Sequence, residues 1–98
     1  MVNFTITTTP RQRKRLELIQ TLDLLLGSLE KMNPELSFTD TPRYISLQLQ
    51  FDDKGQLDSF FESNEFAILK GAVKTLGTHT EMTVNGENLK HFFNRTNT

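Results

Sequence analysis

The side chains best suited to chemistry in this sequence are two histidines, a single tyrosine and a cluster of basic residues. His79 and His91 have neither a second histidine nor a carboxylate at metal-ligand spacing, so no metal site is expected. A lone histidine can still serve as a general base where it lines a cavity. That makes His79 a candidate for proton transfer, with an ordinary surface role as the alternative. Tyr44 could donate a proton, bind a ligand, or hydrogen-bond across an interface between copies. Asp52, Asp53 and Asp58 could pass for a cation cluster. A calcium loop, however, needs a longer ladder of oxygen ligands ending in glutamate, and turn and capping roles suit these residues better. Arg11, Arg13, Lys14 and Arg15 crowd the predicted start of the first helix. An anion site there would add exposed N–H groups to the basic side chains. The plainer reading is a solvated face that works slightly against the helix dipole. Gly71 and Gly77 fit no phosphate-loop motif.

Composition narrows the classes. Lysine and arginine number 11 against 12 aspartates and glutamates, for a net charge of −1. Nucleic-acid binders held by bulk electrostatics are usually basic, so no nucleic-acid partner is expected. Cysteine is absent, which excludes disulfides, thiolate nucleophiles and cysteine-bound zinc or iron–sulfur clusters. The opening Met-Val-Asn-Phe-Thr has no apolar stretch of the signal-peptide kind. The longest wholly aliphatic run, Leu24-Leu25-Leu26, is far too short to cross a membrane. The expectation is a cytoplasmic protein with no membrane partner and no cofactor.

The elements that must position these residues follow from periodicity. Val2, Phe4 and Ile6 alternate with Asn3, Thr5 and Thr7, the period of a half-buried strand. Thr9, Pro10 and Gln12 read as N-cap, first helical position and capping box of a helix running to about Met32. Leu16, Ile19, Leu22, Leu25, Leu26 and Leu29 form its apolar stripe, widened by Leu18. Leu36 and Phe38, a turn at Asp40-Thr41-Pro42-Arg43, and Ile45, Leu47, Leu49 and Phe51 make a hairpin. A short helical turn follows, carrying Leu57, Phe60 and Phe61 and capped by Asp53. Ser63 caps a second long helix, which buries Phe66, Leu69, Val73 and Leu76 and ends at Gly77 in a left-handed C-cap. Residues 79–84 are a last strand, and Asn85-Gly86 is a turn. The order β-α-β-β-α-β is the ferredoxin-like arrangement. An α+β domain is expected over residues 1–86, with a four-stranded antiparallel sheet and two helices on one face. Residues 87–98 read as a tail.

The two faces of that sheet differ. One is apolar on every strand and must take the helices. The other carries Thr5, Thr7, Ser37, Thr39, Tyr44, Ser46, Gln48, Gln50 and Thr83. It is polar but almost without charge, whereas solvated faces normally carry lysine and glutamate. Threonine and tyrosine are simply good strand residues, so a plain solvated sheet is one reading. A wet interface with a second copy is the other. On that reading Thr5, Thr7, Tyr44, Ser46, Gln48 and Gln50 are the interface candidates.

The segment from Phe51 to Gly77, FDDKGQLDSFFESNEFAILKGAVKTLG, resembles the antibiotic biosynthesis monooxygenase family and its dimeric α+β barrel relatives. A strand ends in an aromatic, an acidic turn and a short helical turn follow, and Ser63-x-x-Phe66 opens a helix. The likeness spans about residues 3–84. It implies a homodimer in which two sheets face each other and close a barrel, with a ligand cavity between helices and sheet. Phe51, Phe60, Phe61, Phe66 and Leu69 are the pocket candidates on this reading, for a small apolar or aromatic ligand; a filled core is the alternative. Some members of that family are cofactor-independent oxygenases of quinols or aromatic polyketides, and others degrade haem. Many carry a tryptophan at the position of Phe51 and a histidine at that of Phe60. Neither is present here, which counts against haem chemistry. Asn64 and Tyr44 are the polar residues near the implied site. The expectation is a small-molecule-binding dimeric barrel. A cofactor-free monooxygenase and a non-catalytic dimerisation or regulatory module are the alternatives.

Overall fold

The computed structural model describes residues 1–32 and 35–88. It contains β1 (Val2–Pro10), α1 (Arg15–Met32), β2 (Ser37–Asp40), β3 (Ile45–Phe51), α2 (Lys54–Phe61), α3 (Asn64–Leu76), β4 (Gly77–Val84) and β5 (Glu87–Asn88). The sheet runs in the order β2-β3-β1-β4-β5, with every neighbouring pair antiparallel. Its first four strands have the order of the ferredoxin-like α+β fold. The predicted short helical turn is a third helix, α2.

The register separates the two faces. Phe4 pairs with Leu49 and Ile6 with Leu47, and Ile6 faces Met82 on the other side. These side chains are buried together with Ile45, Phe51 and Leu57. The α1 stripe that meets them is Leu18, Leu22, Leu25 and Leu29. Their spacing keeps one face of a 3.6-residue helix toward the sheet. Leu18 is thus central to the stripe, while Leu16 is 68% exposed and lies outside it. From α3, Phe66, Leu69 and Val73 are buried as predicted.

Both predicted caps on the later helices are present. Asp53 accepts from the backbone N–H of Gln56 at 2.9 Å, and Ser63 accepts from that of Phe66 at 3.2 Å. Each satisfies a donor that the first helical turn leaves unpaired.

The start of α1 differs from its prediction. Thr9 and Pro10 continue β1, pairing with Thr78 and Gly77, and the helix begins only at Arg15. Local sequence offered a helix start, but the threonine-rich strand extends because a partner strand lies beside it. Proline at a strand end is compatible with the ladder. Arg11, next in line, donates its N–H to Leu76 at 2.8 Å. Arg11, Arg13 and Lys14 therefore sit in the β1–α1 loop, and only Arg15 lies in the helix. Arg13 holds that loop in a left-handed conformation, φ 66°.

Gly77 also departs from expectation. It is extended, with φ −119° and ψ 168°, so left-handed freedom is not why glycine stands there. A Cβ at this position would come 2.2 Å from Thr8 Oγ1 and 2.9 Å from the Val73 carbonyl oxygen. The α3–β4 junction is pressed against β1 too closely for a side chain. Opposite Thr8, the register between β1 and β4 shifts by a bulge. His79 lies in that bulge with φ 53°, left-handed and exposed. Asn85 and Gly86, φ 52° and 86°, make the tight turn into β5, as such turns require. Glu87 and Asn88, which read as the start of a tail, pair with Val84 and Thr83. The apolar tail positions Leu89, Phe92 and Phe93 lie outside the described residues.

Candidate functional site

The predicted pocket residues do come together, but as a filled aromatic cluster. Phe4 reaches up from β1 between the rings of Phe60, Phe61 and Phe66, with centroids 5.5–6.0 Å away in edge-to-face arrangements. Phe60 and Phe66 meet at 5.3 Å, and Phe51 and Phe60 at 5.4 Å. Such contacts add to the burial of each ring. Phe60, Phe66 and Leu69 are essentially inaccessible, and Phe61 is half-buried. α2 is short because its task is local. Between its Asp53 cap and the turn at Glu62 it carries Phe60 and Phe61 over the start of β1.

The rim of this cluster is open. Phe51, Gln56, Ser59 and Phe60 line a shallow cavity of about 260 Å³. Gln56 is tethered there, because its Oε1 accepts from the Asp52 N–H at 2.9 Å. Aromatic faces with an amide and a hydroxyl could hold a small planar molecule with one or two polar groups. A second groove of about 290 Å³ lies on the outer side of the helix layer, lined by Thr21, Leu24, Leu25, Ser28, Asn64, Glu65 and Ile68. Leu24 is 84% and Ile68 52% exposed. Gln56, Ser59 and this outer groove were missed from sequence. Leu24 was visible as a leucine off the helix stripe, but nothing local tied it to Ile68.

The candidates for chemistry stand apart. Tyr44 immediately precedes β3, at the end of the sheet where β1 finishes; it is 40% exposed. Thr41 closes that hairpin, accepting from the Tyr44 N–H and donating to its carbonyl. Asn64 opens α3 at the opposite end and faces the outer groove. His79 lies in the β4 bulge, across β1 from Tyr44's strand. The fold thus sets Tyr44 and His79 on strands either side of the last residues of β1 and Asn64 at the other end of the domain. No group of three or more histidine, aspartate or glutamate side chains among the described residues is arranged to hold a metal ion. Among those residues no helix is long and apolar enough to cross a membrane.

The helix-free face is laid out as the alternation predicts. Thr5 pairs with Gln48 and Thr83, and Thr7 with Ser46 and Glu81. Thr7 Oγ1 and Ser46 Oγ are 3.3 Å apart. Ser37 and Thr39 extend the face onto β2. Glu81 adds a charge to this face, where the alternation of Met82 and Val84 with Glu81 and Thr83 puts it. The face is otherwise hydroxyl and amide.

No protein-family model matches the sequence, and no curated protein matches it. Solved structures do. A Mycobacterium tuberculosis protein superposes with a TM-score of 0.75 at 18% identity, covering 85% of this chain and 90% of that one. A conserved protein from Methanosarcina mazei gives 0.73 at 14% identity, covering 85% and 88%. A Deinococcus radiodurans protein named as a candidate antibiotic biosynthesis monooxygenase gives 0.71 at 15%, covering 86% and 89%. This chain shares the fold of these proteins, the ferredoxin-like α+β fold. The likeness read from residues 3–84 is borne out at that level. Within this fold, Phe51 and Phe60 occupy the end of β3 and the body of α2 as a packed aromatic pair.

Proposed function

We propose that the chain is a homodimer-forming barrel protein that takes a small aromatic or apolar molecule in the cavity beside Phe51 and Phe60. The observation that carries the dimer is the helix-free sheet face, where half-buried Thr5, Thr7, Ser46 and Gln50 are accompanied, among the described strand residues, by the charge of Glu81. Hydrogen-bonding side chains without charge suit a wet protein interface. The same side chains meeting bulk water would leave a broad uncharged surface exposed. The ligand reading rests on aromatic walls with two polar groups at the rim.

Light scattering after gel filtration tests the dimer. The expected mass is twice the 11.3 kDa of the chain, and a clean monomer at micromolar concentration overturns the reading. A panel of quinols and small aromatics tests the pocket. Binding should raise the unfolding temperature and shift the ring resonances of Phe51 and Phe60; no shift with any of them refutes the ligand.

A second reading is favoured by the structural neighbours named as candidate antibiotic biosynthesis monooxygenases. On that reading the bound quinol reacts with dioxygen without a cofactor, one oxygen atom entering the ring and the other leaving as water with the quinol's own two electrons and hydrogens, to give a hydroxyquinone; Gln56 and Ser59 are the polar groups nearest it. Oxygen uptake dependent on the protein and a quinol separates the two readings. Binding without uptake leaves a binding protein.

A further inference from the structure

Hydrogen bonds to the backbone fix the polar rim of the cavity beside Phe51 and Phe60. Asp53 caps α2 by accepting from the Gln56 backbone N–H at 2.9 Å. The Gln56 side chain turns back in return, and its Oε1 accepts from the Asp52 N–H at 2.9 Å. This is the reciprocal pattern of a capping box, displaced by one residue. It also settles how the amide is oriented. A backbone N–H can only donate, so the amide atom facing it is the oxygen and not the nitrogen. The uncommitted end of Gln56 is therefore Nε2, which only donates. Among the described residues Nε2 has no protein acceptor, and the Ser59 hydroxyl has no partner. Both side chains line the cavity.

Charge adds a second constraint. Residues 52–62 carry the exposed acids Asp52, Asp53, Asp58 and Glu62 against one cation, Lys54. The positive end of the α2 dipole would favour an anion, but it already faces the Asp53 carboxylate. Exposed charges act over about 10 Å at about 0.1 M salt. Asp52 follows Phe51 in the chain and Asp58 precedes Ser59, so both acids lie within that range of the cavity. An anionic ligand is repelled there, and a neutral one is not.

We propose that Gln56 is the specificity-determining residue of this cavity, selecting an uncharged planar aromatic with a carbonyl acceptor over the same ring with a hydroxyl or a carboxylate. This rests on the ligand reading above. The aromatic walls hold any flat ring alike, so the choice among rings falls to the rim. A carbonyl oxygen accepts from Gln56 Nε2 and from the Ser59 hydroxyl. An aryl hydroxyl accepts more weakly, because its lone pair is shared with the ring. A carboxylate accepts well but brings the charge that Asp52 and Asp58 oppose.

Naphthalene, its methyl ketone, naphthol and naphthoate separate these effects on one ring. Each is titrated into the protein and followed by the ring resonances of Phe51 and Phe60. The ketone should bind about three- to tenfold more tightly than naphthol, the worth of one net hydrogen bond, and naphthoate more weakly than either. Gln56→Glu keeps an oxygen for the Asp52 N–H but removes the donor. It should abolish the advantage of the ketone and leave the unfolding midpoint in place. Gln56→Met removes the donor without adding charge and should abolish the same advantage. Asp52→Asn/Asp58→Asn should tighten naphthoate about two- to fivefold and leave the ketone unaltered. An advantage of the ketone that survives in both Gln56 variants overturns the proposal, as does naphthoate binding as tightly as the ketone to the unaltered chain. If none of the compounds binds, the ligand reading itself has failed.

Discussion

The Phe51 and Phe60 rings lie 5.4 Å apart, tilted by 35°, at the two positions where the family resemblance implies a tryptophan and a histidine. Their contact joins the end of β3 to α2 and forms the inner wall of the cavity at Gln56 and Ser59. At these two positions the structure shows ring packing. Phe60→Ala should therefore act mainly on stability, lowering it by about 3–5 kcal/mol, as for other buried phenylalanines. Chemical denaturation measures this. A loss below about 1 kcal/mol would mean that the cluster is not the core contact described.

Gly77→Ala should destabilise by about 1–3 kcal/mol through overpacking. The added methyl would meet Thr8 Oγ1 and the Val73 carbonyl. Thr8→Ala alone also costs stability, because it removes the hydroxyl that lies 2.7 Å from Thr80 Oγ1. Together they should cost less than their sum, since Thr8→Ala clears part of the space. A double-mutant cycle with no coupling would disprove the close-approach explanation.

The helix caps make a smaller prediction. Ser63→Ala and Asp53→Ala should each cost about 1 kcal/mol, seen as a lower denaturation midpoint at unchanged slope. Arg15→Ala should cost less than about 1 kcal/mol, because its ion pair with Asp40 is more than a third exposed on both sides. An Arg15 effect larger than the cap effects would contradict this ordering.

These contrasts also explain which parts of the fold were legible in the sequence. Asp53 and Ser63 act on N–H groups three residues away, so their chemistry is written locally. The alternation of Phe4 and Ile6 with Thr5 and Thr7 fixed the faces of β1 for the same reason. Thr9 and Pro10 misled because their local signal is that of a helix start, while Thr78 and Gly77 decide their conformation from far along the chain. Gly77 was recognisable as special, but its reason is Thr8, also distant in sequence. Of the site, the phenylalanines were legible as a group. Their filling of the space, and the distance of Asn64 from Tyr44 and His79, depend on topology.

The sheet face offers the sharpest separation of association from folding. Ser46 is half-buried on the face away from the core, and its hydroxyl meets Thr7 at 3.3 Å. Gln48 beside it is exposed between Thr5 and Ser37. Neither side chain supports the core, so a charge at either should leave the fold intact, within about 0.5 kcal/mol. In a dimer the same charge would be buried twice, once from each copy, because a two-fold interface repeats every residue. Gln48→Lys should therefore raise the dimer dissociation constant by at least about tenfold, since an unpaired buried charge is costly. Sedimentation measures the association, and unfolding at low protein concentration measures the fold. Equal losses in both would mean that Gln48 supports the monomer. Loss of neither would mean that this face meets water.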